Sequence, residues 1–164
     1  MTSSNAPGDH QAPGWHVSRW FDTPEPLTLA ALKGSVVVLH AFQMLCPGCV
    51  SHGIPQAKAI RAAFPLERVR VVGLHTVFEH HDAMGPVALE AFLHEYRLGF
   101  PVGIDQADPD GNPIPLTMQA YRLQGTPSLI LIDKAGRIRL HHFGQIDDLR
   151  VGAAIGQLLT EETG

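Results

Sequence analysis

The two cysteines of this chain are the residues best suited to carry chemistry. Cys46 and Cys49 lie three positions apart in the motif CPGC, and the chain has 2 cysteines in total. Side chains at i and i+3 share one face of a helix, so the two thiols can close a disulfide. Pro47 suits the first turn of a helix, because its missing N–H has no partner to lose there. The spacing therefore predicts a redox-active pair at the start of a helix.

Placement at the start of a helix would give the two cysteines different roles. A helix N-terminus presents free N–H groups and a partial positive charge, which favour the thiolate form of Cys46. A thiolate attacks disulfides, and a second thiol can resolve the mixed disulfide that forms. Cys46 is thus the candidate nucleophile and Cys49 the candidate resolving cysteine. The alternatives are two inert core cysteines or a metal site, but zinc needs about four ligands and no second cysteine pair exists. We predict no metal and no cofactor.

Apolar runs in the sequence predict the strands and helices that position the cysteine pair. Continuous apolar runs predict three strands buried on both faces, at residues 36–42, 69–75 and 128–133. Helices are predicted near 47–64, with a kink at Pro55, and near 86–98, 116–123 and 147–159. Residues 27–34 suggest a turn or hairpin, residues 100–104 a short strand, and residues 137–143 the hairpin partner of the third buried strand. This order predicts an α/β fold with a mixed sheet and helices on both faces.

A second motif, Gly125-Thr126-Pro127, stands directly before the third buried strand. Proline in a sheet is confined to edges, bulges or the first residue of a strand. A cis Thr126–Pro127 bond would expose the backbone polar groups of Thr126 to an extended substrate beside Cys46. The frequencies of X–Pro bonds favour trans, because only ~5–6% are cis in folded proteins.

These motifs resemble a known family. FQMLCPGC at 42–49, Gly125-Thr126-Pro127 and LIDKAGRI at 131–138 resemble the thioredoxin superfamily, and within it the TlpA-like and DipZ-like thiol–disulfide oxidoreductases (redoxins). The resemblance covers residues 15–159. It implies a three-layer α/β/α fold with a central mixed sheet, a cis Pro127, and Cys46 as the exposed nucleophile. It also implies a disulfide-bearing protein or small-molecule substrate, and an electron donor that the sequence does not identify.

The chain departs from the family at three positions near the pair. Leu45 replaces the tryptophan that usually precedes the first cysteine, and Pro47-Gly48 reverses the Gly-Pro of thioredoxin. His40 stands where the family often has a buried Asp or Asn. His40 could relay the proton of Cys49, since its ordinary pKa of ~6.5 suits that task. The other interpretation is a neutral core histidine satisfied by a hydrogen bond.

Other histidines are weaker candidates. His75, His80 and His81 form a histidine-rich stretch after the second buried strand. These ligand types would suit zinc or copper, but a polar loop at the edge of the sheet is favoured over a metal site. His52 falls about one turn past Cys49, where the TlpA-like branch often carries Glu, so a proton-transfer role is suggested for it.

Composition excludes several classes of protein. The chain has 164 residues, 45% of them hydrophobic and 17% charged, which is typical of one globular domain and not of a disordered chain. A net charge of -4 argues against a basic nucleic-acid-binding surface. No apolar run approaches the ~20 residues of a membrane span. Residues 1–14 are predicted to be a flexible arm and 15–164 the folded domain. The arm lacks the features of a signal peptide, which predicts a cytoplasmic location.

Two other functions share parts of this pattern. A peroxiredoxin needs Pro-x-x-x-Thr/Ser-x-x-Cys, and Leu39 and Gln43 occupy the first two of those positions. A copper chaperone or similar metal-binding module uses CxxxC with a distal histidine, a spacing that CPGC does not have. The leading prediction is therefore a thiol–disulfide oxidoreductase that reduces or exchanges disulfides.

Overall fold

The computed structural model describes residues 10–162, which form a seven-stranded mixed sheet. In order along the chain the strands are β1 (His10–Gln11), β2 (Val17–Phe21), β3 (Val36–Phe42), β4 (Val69–His75), β5 (Val102–Asp105), β6 (Ser128–Ile132) and β7 (Arg137–Phe143). Their order across the sheet is β1-β7-β6-β3-β4-β5-β2. The central strand β3 pairs parallel with β4 and antiparallel with β6.

The central strand forms because its residues pack on both faces. Every residue of β3 is buried, and its β-branched valines suit a pleated surface covered on both sides. The alternation of side chains sends Val36, Val38 and Phe42 into one hydrophobic cluster. The intervening apolar residues of β3 belong to a second cluster on the opposite face. His40 has the same parity as Phe42, so it points toward the first cluster.

Helices cover both faces of the sheet. The helices are α1 (Ile54–Ala63), α2 (Pro86–Tyr96), α3 (Leu116–Ala120) and α4 (Asp148–Thr160). Buried residues of α1, α2 and α4 belong to the first cluster, and Met118 of α3 belongs to the second. Trp15 and Trp20 pack against the second cluster from the N-terminal segment. This arrangement confirms the predicted α/β/α fold with a central mixed sheet.

Two local features add detail to the predictions. The segment 27–34, predicted as a turn or hairpin, forms a 3₁₀ turn at Ala30–Leu32, and Leu32 packs in the core. The helix after the cysteines widens into a π-helical turn at Cys49–Gly53, where the N–H of Ile54 donates to the carbonyl of Cys49. This widening lies just before Pro55, which cannot donate a helical hydrogen bond.

Part of the predicted N-terminal arm lies against the sheet. Residues 1–9 lie outside the described residues, whereas His10–Gln11 pair antiparallel with β7. The carbonyl of Pro13 accepts a hydrogen bond from the hydroxyl of Tyr121 at 2.5 Å. Contacts with the domain therefore begin N-terminal to the predicted boundary at Trp15. Within residues 10–162, none of the helices combines the length and apolar character that a membrane crossing requires.

Candidate active site

The cysteine pair lies just beyond the C-terminal end of β3, where the helical backbone begins at Pro47. Cys46 and Cys49 are joined in a disulfide, with their Cα atoms 5.2 Å apart. Cys46 is half-buried, whereas the side chain of Cys49 is 0% exposed and packs in the first hydrophobic cluster. The two sulfurs therefore differ in access: a disulfide substrate can approach Cys46 from solvent, and Cys49 lies beneath it.

Backbone groups surround the sulfur of Cys46. The N–H of Cys49 donates to Sγ of Cys46 at 3.2 Å. The carbonyl oxygen of Thr126 lies 3.5 Å from the same sulfur. An N–H directed at Sγ favours negative charge on it, as does the helix start at Pro47. In the reduced protein the Thr126 carbonyl is placed to accept a hydrogen bond from the Cys46 thiol.

The loop that contributes Thr126 packs directly against the start of the helix. The Thr126–Pro127 peptide bond is cis. A Cβ on Gly48 would lie 3.4 Å from Cδ of Pro127, so the two segments are in van der Waals contact. The hydroxyl of Ser128 donates to the carbonyl of Gly125 at 2.7 Å, which closes the turn around the proline. Pro47, Gly48, Thr126 and Pro127 are thus brought together with Cys46.

Gln43 links three segments of the site, a role that the sequence analysis missed. Its side-chain amide donates to Oγ1 of Thr126 at 3.3 Å and accepts the N–H of Phe78 at 3.3 Å. Its backbone carbonyl accepts the N–H of Cys46 at 3.2 Å. Gln43 is 1% exposed, so water does not replace these bonds. A polar residue between a buried strand and CPGC was the available signal for this role.

Three rings pack together beneath the active-site loop, with His40 stacked on Phe42 and His75 tilted by 48° against Phe42. Phe42 stands between His40 and His75, with ring centroids 5.7 and 5.2 Å away respectively. Nε2 of His75 accepts the N–H of Met44 at 3.2 Å, which requires the neutral ring with its proton on Nδ1. Burial lowers the pKa of His75 to about 4. His75 thus holds the loop two residues before Cys46 and belongs to the interior, not to a polar loop at the edge of the sheet.

His40 carries an unpaired nitrogen. Burial, and secondarily the charge of His52, lower the pKa of His40 to about 4, so the ring is neutral near pH 7. Among the described residues its Nε2 has no hydrogen-bond partner, so the interpretation as a satisfied core histidine is wrong for this atom. The ring edge presses on Gly53, one turn after Cys49: a Cβ there would lie 2.5 Å from Cε1 and 3.1 Å from Nε2. Only glycine fits this contact.

The remaining histidines do not form a metal site with the cysteines. His80 and His81 are exposed, and Nε2 of His81 hydrogen-bonds the carbonyl of Pro113 at 3.0 Å. Nε2 of His52 hydrogen-bonds the carbonyl of Ile146 at 3.0 Å, which turns its ring toward the segment that precedes α4. In residues 10–162, no group of three or more His, Cys, Asp or Glu side chains is arranged to hold a metal ion.

A disulfide between an accessible and a buried cysteine, at a helix start beyond the central strand, defines a dithiol–disulfide oxidoreductase site. Comparison with solved structures agrees. The chain is 57% identical to the thioredoxin-like superfamily protein SPOA0173, covering 94% of this chain and 99% of that one with a TM-score of 0.91. It is 50% identical to a thiol-disulfide isomerase from Corynebacterium glutamicum, covering 92% and 98% with a TM-score of 0.87.

A more distant likeness extends the comparison. A protein described as the thiol:disulfide interchange protein DsbE of Chlorobium tepidum is 25% identical, over 94% of this chain and 98% of that one, with a TM-score of 0.72. No protein-family model and no curated protein matches the sequence. The chain belongs to the thioredoxin-like superfamily, in its TlpA-like redoxin branch, and is a thiol–disulfide oxidoreductase.

Proposed function

We propose that this chain reduces disulfides, with Cys46 as the nucleophile and Cys49 as the resolving cysteine. The supporting observation is the asymmetry of the pair: Sγ of Cys46 is reachable and receives the N–H of Cys49, whereas Cys49 is enclosed in the core. Cys46 thiolate attacks a substrate disulfide, forms the mixed disulfide and releases one substrate thiolate. Cys49 then attacks Sγ of Cys46, which releases the second substrate thiol and transfers both electrons to the substrate.

The neighbouring residues support this reaction by position. Thr126 places its carbonyl beside Cys46, where its backbone can hydrogen-bond an extended substrate segment. Gly48 lets Pro127 approach the helix start closely, and Pro47 begins that helix without an unpaired N–H. A separate donor must return electrons to the Cys46–Cys49 disulfide after each turnover.

His40 is the proposed proton acceptor for Cys49. The thiol of Cys49 must lose its proton before it attacks. The unpaired Nε2 of His40, against Gly53 one turn after Cys49, accepts a proton in the tautomer that carries the ring proton on Nδ1. His40→Ala should slow oxidation of the reduced protein by substrate near neutral pH, because that acceptor is removed. Rates are measured from pH 6 to 9, and a profile unchanged by the substitution would remove His40 from the mechanism.

The assignment of the two cysteines is tested with the reduced protein and insulin. The wild type should precipitate insulin in the presence of dithiothreitol, and Cys46→Ser should abolish this activity. Cys49→Ser should accumulate a mixed disulfide through Cys46, visible by mass spectrometry, because no thiol resolves it. A mixed disulfide on Cys49 in the Cys46→Ser protein, at equal yield, would contradict the assignment.

The direction of the reaction and its compartment belong to the same proposal. A reduction potential near ~-270 mV, as in thioredoxin, would support a reductase, and one near ~-120 mV, as in DsbA, an oxidant. A reductase role accords with the predicted cytoplasmic location, where thiols are kept reduced. Fractionation of cells that produce the chain from its natural start tests that location, and its recovery from an exported fraction would contradict it.

A further inference from the structure

The peptide group between Gln43 and Met44 is hydrogen-bonded at both ends. Its N–H, which belongs to Met44, donates to Nε2 of His75 at 3.2 Å. Its carbonyl, which belongs to Gln43, accepts the N–H of Cys46 at 3.2 Å. One peptide plane therefore connects a buried histidine with the backbone of the reactive cysteine.

The Met44 N–H lies beyond the paired part of the central strand. β3 and β4 pair in parallel as far as Phe42 opposite His75, and the N–H of Thr76 donates to the Phe42 carbonyl at 3.1 Å. Met44 follows two residues later and is buried, so its N–H needs an acceptor other than strand backbone or water. The side chain of His75, the last residue of β4, supplies that acceptor.

Packing holds this acceptor in place. His75 is 1% exposed, and the centroid of its ring lies 5.2 Å from that of Phe42. A side chain that is fixed by its neighbours keeps its polar atom at one position. Burial also lowers the pKa of His75, so the ring stays neutral and Nε2 keeps the lone pair that accepts the N–H.

We propose that His75 is a positioning residue for Cys46, which it orients through the Gln43–Met44 peptide group. This inference rests on the proposed function of Cys46 as the nucleophile. Without His75 the Met44 N–H would be buried and unpaired, a cost that the chain can relieve by rotating the peptide group. The same rotation would carry the Gln43 carbonyl away from the Cys46 N–H. A displaced sulfur attacks more slowly, because the reacting atoms must meet at a short distance and in alignment.

Single-turnover kinetics with hydroxyethyl disulfide measure this effect. The reduced protein donates two electrons to this small, neutral disulfide, two molecules of mercaptoethanol are released, and Cys46 and Cys49 end in a disulfide. His75→Leu, which has no acceptor, should react about tenfold more slowly than the wild type. Hydrogen exchange at the Met44 amide, followed by NMR, should be slow in the wild type and fast in His75→Leu.

Two further variants of His75 form a matched pair. The amide oxygen of Gln lies as many bonds from Cα as Nε2 of His does, whereas the amide oxygen of Asn lies one bond closer. His75→Gln should therefore restore most of the rate and the slow exchange of the Met44 amide, while His75→Asn should resemble His75→Leu. Both variants bury the same amide group, so a difference between them reports the reach of the acceptor.

Tyr121→Phe is the control for a loss of stability alone. The Tyr121 hydroxyl donates to the Pro13 carbonyl at 2.5 Å and accepts Nε1–H of Trp15 at 3.0 Å, so its removal should destabilise the fold. Tyr121 belongs to the second hydrophobic cluster, whereas Cys49 belongs to the first. The rate with hydroxyethyl disulfide should be unchanged in this variant.

The outcomes are distinguishable. Equal rates in the wild type and His75→Leu, equal rates in His75→Gln and His75→Asn, or an equal loss in Tyr121→Phe would overturn the role of His75. If His75→Leu and His75→Asn do not fold, His75→Gln decides: a rate near that of the wild type supports the role, and a large loss with slow exchange at Met44 contradicts it. If the reduced wild type does not react with hydroxyethyl disulfide, the proposed function fails instead.

Discussion

Two buried polar side chains in this protein, Asp105 and His40, differ in their hydrogen bonding. Asp105, at the end of β5, accepts the N–H of Thr117 at 2.8 Å, the N–H of Met118 at 2.9 Å and the hydroxyl of Thr76 at 2.9 Å. His40, at the centre of the sheet, keeps Nε2 without a partner. Burial raises the pKa of Asp105, while these hydrogen bonds act in the opposite direction.

Asp105 has a structural role, whereas the unpaired nitrogen of His40 is free for the proposed proton transfer. Asp105 joins α3 to the sheet, and all its partners lie on rigid elements or their ends. An unpaired buried nitrogen normally costs free energy, so its persistence at His40 needs a reason. The proposed transfer of a proton from Cys49 to His40 would supply that reason, and the ring edge of His40 lies against Gly53, one turn after Cys49.

The largest effect on stability is expected from substitution of Asp105. Asp105→Ala leaves two backbone N–H groups and a hydroxyl buried without their acceptor, so the free energy of unfolding should fall by about 3 to 5 kcal/mol. Urea denaturation measures it. Asp108→Ala is the control, since Asp108 is only half-buried and its bonds to Gln119 and Asp110 are open to water, which replaces them. A similar loss in both variants would contradict the role of Asp105.

Acid should destabilise the fold through its two buried, neutral histidines, His40 and His75. The pKa values of His40 and His75 are lowered from 6.5 to about 4, so the unfolded chain binds more protons than the folded chain between those values. Their contribution is complete above pH 6.5 and is lost as pH falls toward 4. Between pH 7 and pH 5 the unfolding free energy should drop by about 2 kcal/mol for each histidine.

Variants identify which histidines carry this pH dependence. Urea denaturation at pH 7 and pH 5 should show about half the drop in His40→Gln, because one of the two groups is removed. His94→Gln is the control, since His94 is exposed on α2. An equal drop in wild type and His40→Gln would show that His40 is not held neutral by the fold.

The contact between His40 and Gly53 can be tested by adding one methyl group. In Gly53→Ala the new Cβ would lie 2.5 Å from Cε1 of His40, so stability should fall by about 2 kcal/mol despite the better helix propensity of alanine. Adding His40→Ala should recover most of this loss. The control is Gly156→Ala in α4, where a Cβ meets nothing within 4 Å and should be mildly stabilising. A loss that persists in the double variant would exclude His40 as its cause.

The smallest effect on stability is expected at Gln43. Gln43→Leu leaves the N–H of Phe78 and the hydroxyl of Thr126 without partners, which should cost about 1 to 2 kcal/mol in urea denaturation. The same variant should reduce insulin several-fold more slowly, because Thr126 is no longer held beside Cys46. Unchanged insulin reduction in a destabilised variant would make Gln43 purely structural.

Patterns that depend on local sequence were predictable. β3, β4 and β6 are buried on both faces, so their apolar runs marked them without knowledge of the tertiary structure. Cys46 and Cys49 were equally visible, because their spacing alone permits a disulfide. At residues 27–34 the sequence left a turn and a hairpin open, and the structure has the turn, because the packing of Leu32 in the core is not a local property.

Isolated polar residues were harder to interpret. The hydrogen-bond partners of Gln43 lie 35 and 83 positions away along the chain, and those of Asp105 lie 12 to 29 positions away. The identity of one residue in the sequence does not reveal such distant partners. His75 was grouped with His80 and His81 by proximity in sequence, although β4 carries His75 inward to Met44. The chain passes from the interior to solvent between Thr76, which is buried, and Glu79, which is exposed, and no single letter marks that change.

The uncharged segments around Cys46 have a consequence for how fast substrates arrive. Charged clefts accelerate diffusional encounter, and dissolved salt weakens that acceleration. Residues 42–53, which carry Cys46, and residues 123–128, which carry Thr126, contain no Asp, Glu, Lys or Arg, so the second-order rate with a neutral disulfide should be nearly independent of ionic strength. Neutral disulfides should therefore be reduced at similar rates in dilute and in concentrated saline surroundings.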